Sequence, residues 1–197
     1  MNYRQSLSKK TKKKILNTAL KLFKNYGYNK TTVKLIMQEA QVSRSCFYIY
    51  FKNKDELLLE ALFELDDKYE DFYKNELSAS KNNSYNPLEK LEIFLKYVMR
   101  LVTVNGSEMT RMYYSYALKK PDVLTRENRL YNKIILSLAQ EAREQGLLND
   151  IYTNEEILEN ALFINRGIGI DWGLKNGSYP IEEKDSLFRK FCKAISS

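Results

Sequence analysis

Histidine is absent from this 197-residue chain, and proline (3), glycine (7) and cysteine (2) are scarce. Each shortage excludes something. Without histidine there is no Ser-His-Asp or Cys-His mechanism, and none of the common zinc sites. Carboxylate and lysine chemistry stay open. So few turn formers argue against an all-β fold built on tight turns. Cys46 and Cys192 stand at no metal or redox spacing. No run of about 18 apolar residues exists, so no membrane span is expected. The polar, basic N-terminus lacks the apolar stretch of a secretory signal. The expectation is a cytoplasmic protein with no cofactor and no membrane partner.

Charge is present and unevenly placed. Residues 1–56 hold 13 basic and 3 acidic residues, a balance of +10, whereas residues 57–197 hold 19 and 22, a balance of −3. A basic head on a mildly acidic body points to a polyanion at one end. A merely solvated basic tail is the plain alternative.

Apolar residues recur at helical spacing almost throughout. Ile15, Leu16, Ala19, Leu20, Phe23 and Tyr26 share one face of a first helix, which Gly27 ends. Thr31-Thr32 precedes Val33, Ile36, Met37 and Ala40, and a Thr before an apolar run is an N-cap signal. Gln41-Val42 reads as a tight turn. Ser43 then caps a short helix from Arg44 to about Tyr50, with Phe47 and Phe51 inward. Asn53 caps a fourth helix whose first turn carries Asp55 and Glu56, which suits the helix dipole. Its inner face is Leu57, Leu58, Ala61, Leu62, Leu65, Tyr69 and Phe72. The polar stretch Ser78 to Asn86 breaks the pattern, and Pro87 starts a fifth helix. Further helices are predicted over Glu108–Leu118, Asp122–Gln145, Thr153 or Asn154 to Lys175, and after Pro180. The sum is an all-α fold of about nine helices: a three-helix head, 1–54, and a larger helical body, 55–197.

Two short capped helices joined by a tight turn and braced by a basic amphipathic one give helix-turn-helix geometry, in which the second helix enters the major groove. The residues say more. The stretch ILNTALKLFKNYGYNKTTVKLIMQEAQVSRSCFYIYFKNKDELL closely resembles the N-terminal domain of the TetR (tetracycline repressor) family. Ala19, Leu22-Phe23, Gly27, Thr31-Thr32-Val33, Ile36, Ala40, Val42-Ser43, Tyr48, Tyr50-Phe51, Lys54 and Leu57 carry the match over about 45 residues. Two positions depart from it. Gln41 stands where the family usually has Gly, and Met37 where it usually has Ala. If the turn needs positive φ, Gln41 is strained by about 1 kcal/mol.

The resemblance implies roles. Arg44, Ser45 and Cys46 open the recognition helix and are candidates to meet base edges, an Arg there being suited to guanine. Thr32, Tyr48, Tyr50 and Lys54 are expected on phosphates, Lys54 also at a helix N-terminus. Cys46 lies among cations near a helix start, conditions that favour a thiolate; a redox switch and a plain small residue are its two readings.

The TetR resemblance beyond about residue 75 implies a ligand-binding and dimerising body. Ala161 to Ser178 and the helix after Pro180 resemble the family's last two helices, which pair with a second subunit as a four-helix bundle. Trp172, Leu187, Phe188 and Phe191 are expected at that homodimer interface, with Gly167 and Gly169 allowing close helix approach. Tyr97, Arg100, Tyr113, Tyr116, Phe163 and Arg166 are expected around an effector chamber. Glu92 or Asp171 is one source of a partner for the two arginines, and an anionic group on a mainly apolar effector is the other. The implied function is a sequence-specific regulator of transcription on double-stranded DNA, a repressor like most of the family, released from a pseudo-palindromic operator by a small molecule. An enzyme housed in the body and a head that binds protein rather than DNA are the rivals.

Overall fold

The computed structural model describes residues 3–78, 84–122 and 129–197, without the side chains of residues 3–5 and Leu62. Nine α-helices run through them: α1 (Tyr3–Tyr26), α2 (Val33–Ala40), α3 (Arg44–Tyr50), α4 (Lys54–Phe72), α5 (Pro87–Thr103), α6 (Ser107–Lys119), α7 (Leu130–Glu144), α8 (Asn154–Leu174) and α9 (Asp185–Ile195).

Side chains fix most of the starts. Thr32 accepts the Leu35 N–H at 3.1 Å, Ser43 that of Cys46 at 3.1 Å, and Asn53 that of Glu56 at 3.0 Å. Each satisfies a backbone donor that the first turn of a helix leaves without a partner. Asn86 and Thr153 go further and form reciprocal capping boxes with Glu89 and Glu156.

The helix predicted over Asp122–Gln145 is shorter than its pattern. α7 starts at Leu130, after an extended Arg129 (φ −65°, ψ 137°). Arg129 is drawn inward, its guanidinium 2.9 Å from the Asp66 carboxylate. Residues 123–128 of the predicted helix, like 79–83 of the predicted polar break, lie outside the described residues. Pro180 leads first into a 3₁₀ turn, Ile181–Lys184, and only then into α9. α4 runs on into a π-helical turn, Tyr73–Leu77, that no spacing announced.

Two cores result. The head core gathers Ile15, Leu16, Ala19, Phe23, Ile36, Phe47 and Phe51 with Leu57 and Leu58 of α4. The body core gathers Leu91, Phe94, Leu95, Ile135, Leu138, Ile157 and Phe188. α4 therefore starts the body in sequence and closes the head in space. α6 serves both: Met109 is buried in the head core and Tyr116 in the body core.

Candidate nucleic-acid interface

The head turns one face of α3 outward. Phe47 and Phe51 are buried one turn apart, which anchors the helix. Arg44, Ser45 and Tyr48 then stand exposed on the other side, with Cys46 half-buried. The Arg44 guanidinium lies 5.8 Å from the centre of the Tyr48 ring, so the two side chains present a joint surface. Ser43 and Ser45 hydroxyls are 3.0 Å apart. Thr32 is exposed at the start of α2, and Tyr50 is half-buried against the head core. Ile49 was missed by the sequence reading. It is 76% exposed on α3, although its outward register followed from the inward Phe47 and Phe51. An apolar side chain there suits a thymine methyl group.

The turn into α3 is strained where expected. Gln41 caps α2 at φ 51°, ψ 50°, in the left-handed region. Its N–H still closes onto the Gln38 carbonyl at 3.0 Å, so the turn is complete. Met37, the other departure, packs half-buried against the head core.

Lys54 is engaged inside the head. Its ammonium donates to the Tyr28 carbonyl at 2.7 Å and the Thr31 carbonyl at 3.0 Å, and lies 4.0 Å from the Tyr28 ring centre. Burial lowers its pKa, with Asp55 and Glu108 opposing the shift. Lys54 thus braces the loop between α1 and α2, and of its three N–H groups one remains for a phosphate. On the other side of that loop the body reaches in. The Glu108 carboxylate of α6 accepts the Tyr28 N–H at 2.9 Å, and the Tyr28 hydroxyl donates to Asp55. Gly27 has φ +83°, and a Cβ there would meet a Glu108 oxygen at 2.7 Å. That junction had no sequence signal, because its partners lie 80 residues apart.

The residues expected around an effector do not all converge. Tyr113 and Arg166 line one cleft between α4, α5, α6, α7 and α8, together with Tyr69, Tyr114, Arg129, Tyr131 and Asn165. Arg100 does not: it is exposed and pairs with Asp185 at 2.7 Å and Glu182 at 3.7 Å, because the 3₁₀ turn and the start of α9 bring those acids to it. Tyr97 stacks on Phe72 with ring centres 3.8 Å apart, outside the cleft. Tyr116 is buried in the body core, and Phe163 is 58% exposed on the outer face of α8. Nor do Glu92 and Asp171 serve the arginines as expected. Glu92 pairs with Lys96 and Arg189, and Asp171 with Lys175 and the Tyr179 hydroxyl.

The expected dimer residues separate too. Leu187 is exposed and Phe191 half-buried, and they share a shallow apolar groove with Phe163 and Gly167. Phe188 is fully buried within its own subunit, one residue round α9 from Leu187, so it faces the core instead. Trp172 is half-buried, its indole N–H bonded to the Tyr179 carbonyl at 2.9 Å and its ring packed on Gly177. Its polar handle is used inside the subunit.

Known proteins share this arrangement. The profile described as "Bacterial regulatory proteins, tetR family" matches residues 15–61. The HTH-type transcriptional regulator YuxN of Bacillus subtilis, itself uncharacterized, is 48% identical over 60 residues, which are 30% of this chain and 21% of that one. That match spans about a fifth of YuxN's own length. The HTH-type transcriptional regulator QacR of Staphylococcus aureus is 28% identical over 158 residues, covering 77% of this chain and 81% of QacR. A transcriptional regulator of Saccharomonospora viridis, solved in complex with choline, superposes with a TM-score of 0.72 at 19% identity over 96% of this chain and 99% of that one. The family profile thus covers the head of this chain, and the solved regulator shares the fold over its whole length.

Proposed function

We propose that the chain is a sequence-specific DNA-binding regulator of transcription that acts as a homodimer and lets go of a pseudo-palindromic operator when a small molecule enters the body. One observation carries this reading: an exposed recognition helix, capped by Ser43 and held by Phe47 and Phe51, on a head with a balance of +10. Arg44, Ser45, Cys46 and Ile49 meet base edges. Thr32, Tyr48, Tyr50 and the free N–H of Lys54 meet phosphates.

The outer face of α8 and α9 supports the homodimer. Phe163, Ile170, Leu174 and Leu187 are all at least 40% exposed there. A contiguous apolar patch of this kind calls for cover, and a second copy supplies the same patch across a two-fold axis. Two equal heads then ask for two equal half-sites. The double membership of α6 supports release, since a helix packed in both cores cannot shift in one without straining the other.

Full-length protein titrated onto duplex DNA selected from a random library tests the reading. Affinity is expected to fall by about three to five orders of magnitude between roughly 50 and 200 mM salt, as for a protein neutralising several phosphates. Arg44→Ala is expected to relax preference at one base per half-site, at about 1–3 kcal/mol. A flat salt response, or no selected sequence at all, overturns it.

A further inference from the structure

The cleft between α4, α5, α6, α7 and α8 carries one atom that the fold leaves unsatisfied. Asn165 is 5% exposed, and its Oδ1 has no hydrogen-bond partner among the described residues. The amide cannot be turned round to cure this. Its Nδ2 donates to the Ala161 carbonyl at 3.2 Å and the Tyr131 hydroxyl at 3.1 Å. A carbonyl only accepts, so the nitrogen must stay where it is, and the oxygen is left without a donor in a residue that lines the cleft. An acceptor buried without a donor costs about 1–3 kcal/mol.

The walls around that atom are largely aromatic, with Arg129 and Arg166 among them. Tyr69, Tyr113, Tyr114 and Tyr131 line the cleft, and burial raises the pKa of all four, so they remain phenols. No carboxylate is among the lining residues, so a cation finds no counter-ion there. Arg129 does line it, but both of its nitrogens facing Asp66 are taken, at 2.9 and 3.4 Å. An anion at Arg129 would have to compete with that fixed carboxylate. Free space in the cleft is about 40 Å³, room for a few waters, so any ligand is small and enters by moving a wall. α6 contributes Tyr113 and Tyr114 to those walls.

We infer that this cleft binds a small aromatic compound of one or two rings that donates a hydroxyl or ring N–H to Asn165 Oδ1. The inference rests on the proposed regulator reading for its consequence, and not for its chemistry. Of the two arginines expected from sequence beside an anionic effector, Arg166 lines the cleft and Arg100 lies elsewhere.

Calorimetry and thermal shift on the full-length chain test it with matched probes. Phenol, 2-naphthol and indole carry the donor. Anisole, 2-methoxynaphthalene and N-methylindole keep the shape and lose it. The trimethylanilinium ion adds a charge. At least one donor probe is expected to bind about tenfold more tightly than its methylated partner, the worth of one buried hydrogen bond. The cation is expected not to bind. In Asn165→Leu the tenfold preference is expected to vanish while the ring still binds. Because the paired probes are compared on the unaltered chain, the test stands even if that variant does not fold. The inference is overturned if no probe binds, if the methylated probes bind equally (a water then being the only donor Asn165 takes), if the preference survives in Asn165→Leu, or if the cation binds best. Operator affinity measured with the bound probe separates the two claims. Donor-selective binding without release of DNA leaves the cleft assignment standing and removes the release mechanism.

Discussion

Gln41 holds the tightest backbone position in the head, and it does so as a residue that disfavours it. At φ 51° an L side chain crowds the neighbouring carbonyl, at about 1 kcal/mol, whereas glycine does not. Glycine also loses more freedom on folding, so the net gain from Gln41→Gly is smaller, about 0.5–1 kcal/mol. The variant is expected to melt a few degrees higher, with the recognition helix unchanged. A lower melting temperature in calorimetry would show that the Gln41 side chain contributes more than its backbone loses. This strain was legible from sequence, since the resemblance put glycine at that position. The caps at Thr32, Ser43 and Asn53 were legible for a similar reason, as a local hydrogen bond needs only local residues. Lys54 was not. A helix-start lysine reads as a phosphate contact until the fold shows two carbonyls, 23 and 26 residues back, within its reach.

Among the elements, α8 shows best what spacing leaves ambiguous. Its glycines looked alike in sequence, both mid-helix and both suited to close helix approach. In the fold they do different work. A Cβ on Gly169 would overlap the Tyr114 phenol and come within 2.9 Å of its ring, and Tyr114 is 9% exposed with little room to yield. Gly167 has nothing within 4 Å of such a Cβ and lies on the outer face beside Phe163. Gly169→Ala is therefore expected to destabilise the subunit by about 1–3 kcal/mol through overpacking. Gly167→Leu is expected to leave the subunit folded and to shift it toward monomer, because in the proposed dimer the side chain meets only the second copy. Sedimentation and thermal melts read the two effects apart. If Gly167→Leu dimerised as before, the outer face of α8 would not be the contact. The same two-sidedness misled the reading of α9, where Leu187, Phe188 and Phe191 were grouped together. Only the packing of α9 on α5 shows that Phe188 turns inward while Leu187 stays out.

At the scale of the whole molecule the question is how head and body are joined. The all-α architecture, the head and the order of the helices were legible, because each rests on periodicity and caps. The junction was not, because it joins residues 80 positions apart by a hydrogen bond from the Tyr28 backbone N–H to the Glu108 carboxylate. That bond sits where the α1–α2 loop is already held by Lys54 from the other side, so the loop is clamped between the start of α4 and the start of α6. Thr31 belongs to the clamp and Thr32 caps α2, so the clamp sets where the helix-turn-helix begins. Met109, next along α6, is buried in the head core and cannot move without opening it. Tyr113 and Tyr114, one turn further, line the cleft. Glu108→Ala removes the acceptor while leaving Met109 in place. The Tyr28 amide is then expected to exchange its hydrogen roughly tenfold faster or more, as a locally opened segment does. Operator affinity is expected to fall with it, since the start of α2 loses its support. Unchanged exchange at Tyr28 would show that the bond holds nothing. Faster exchange with unchanged operator affinity would make the junction a brace only, and would leave Met109 and the head core as the path by which a moving α6 reaches the DNA-facing helices.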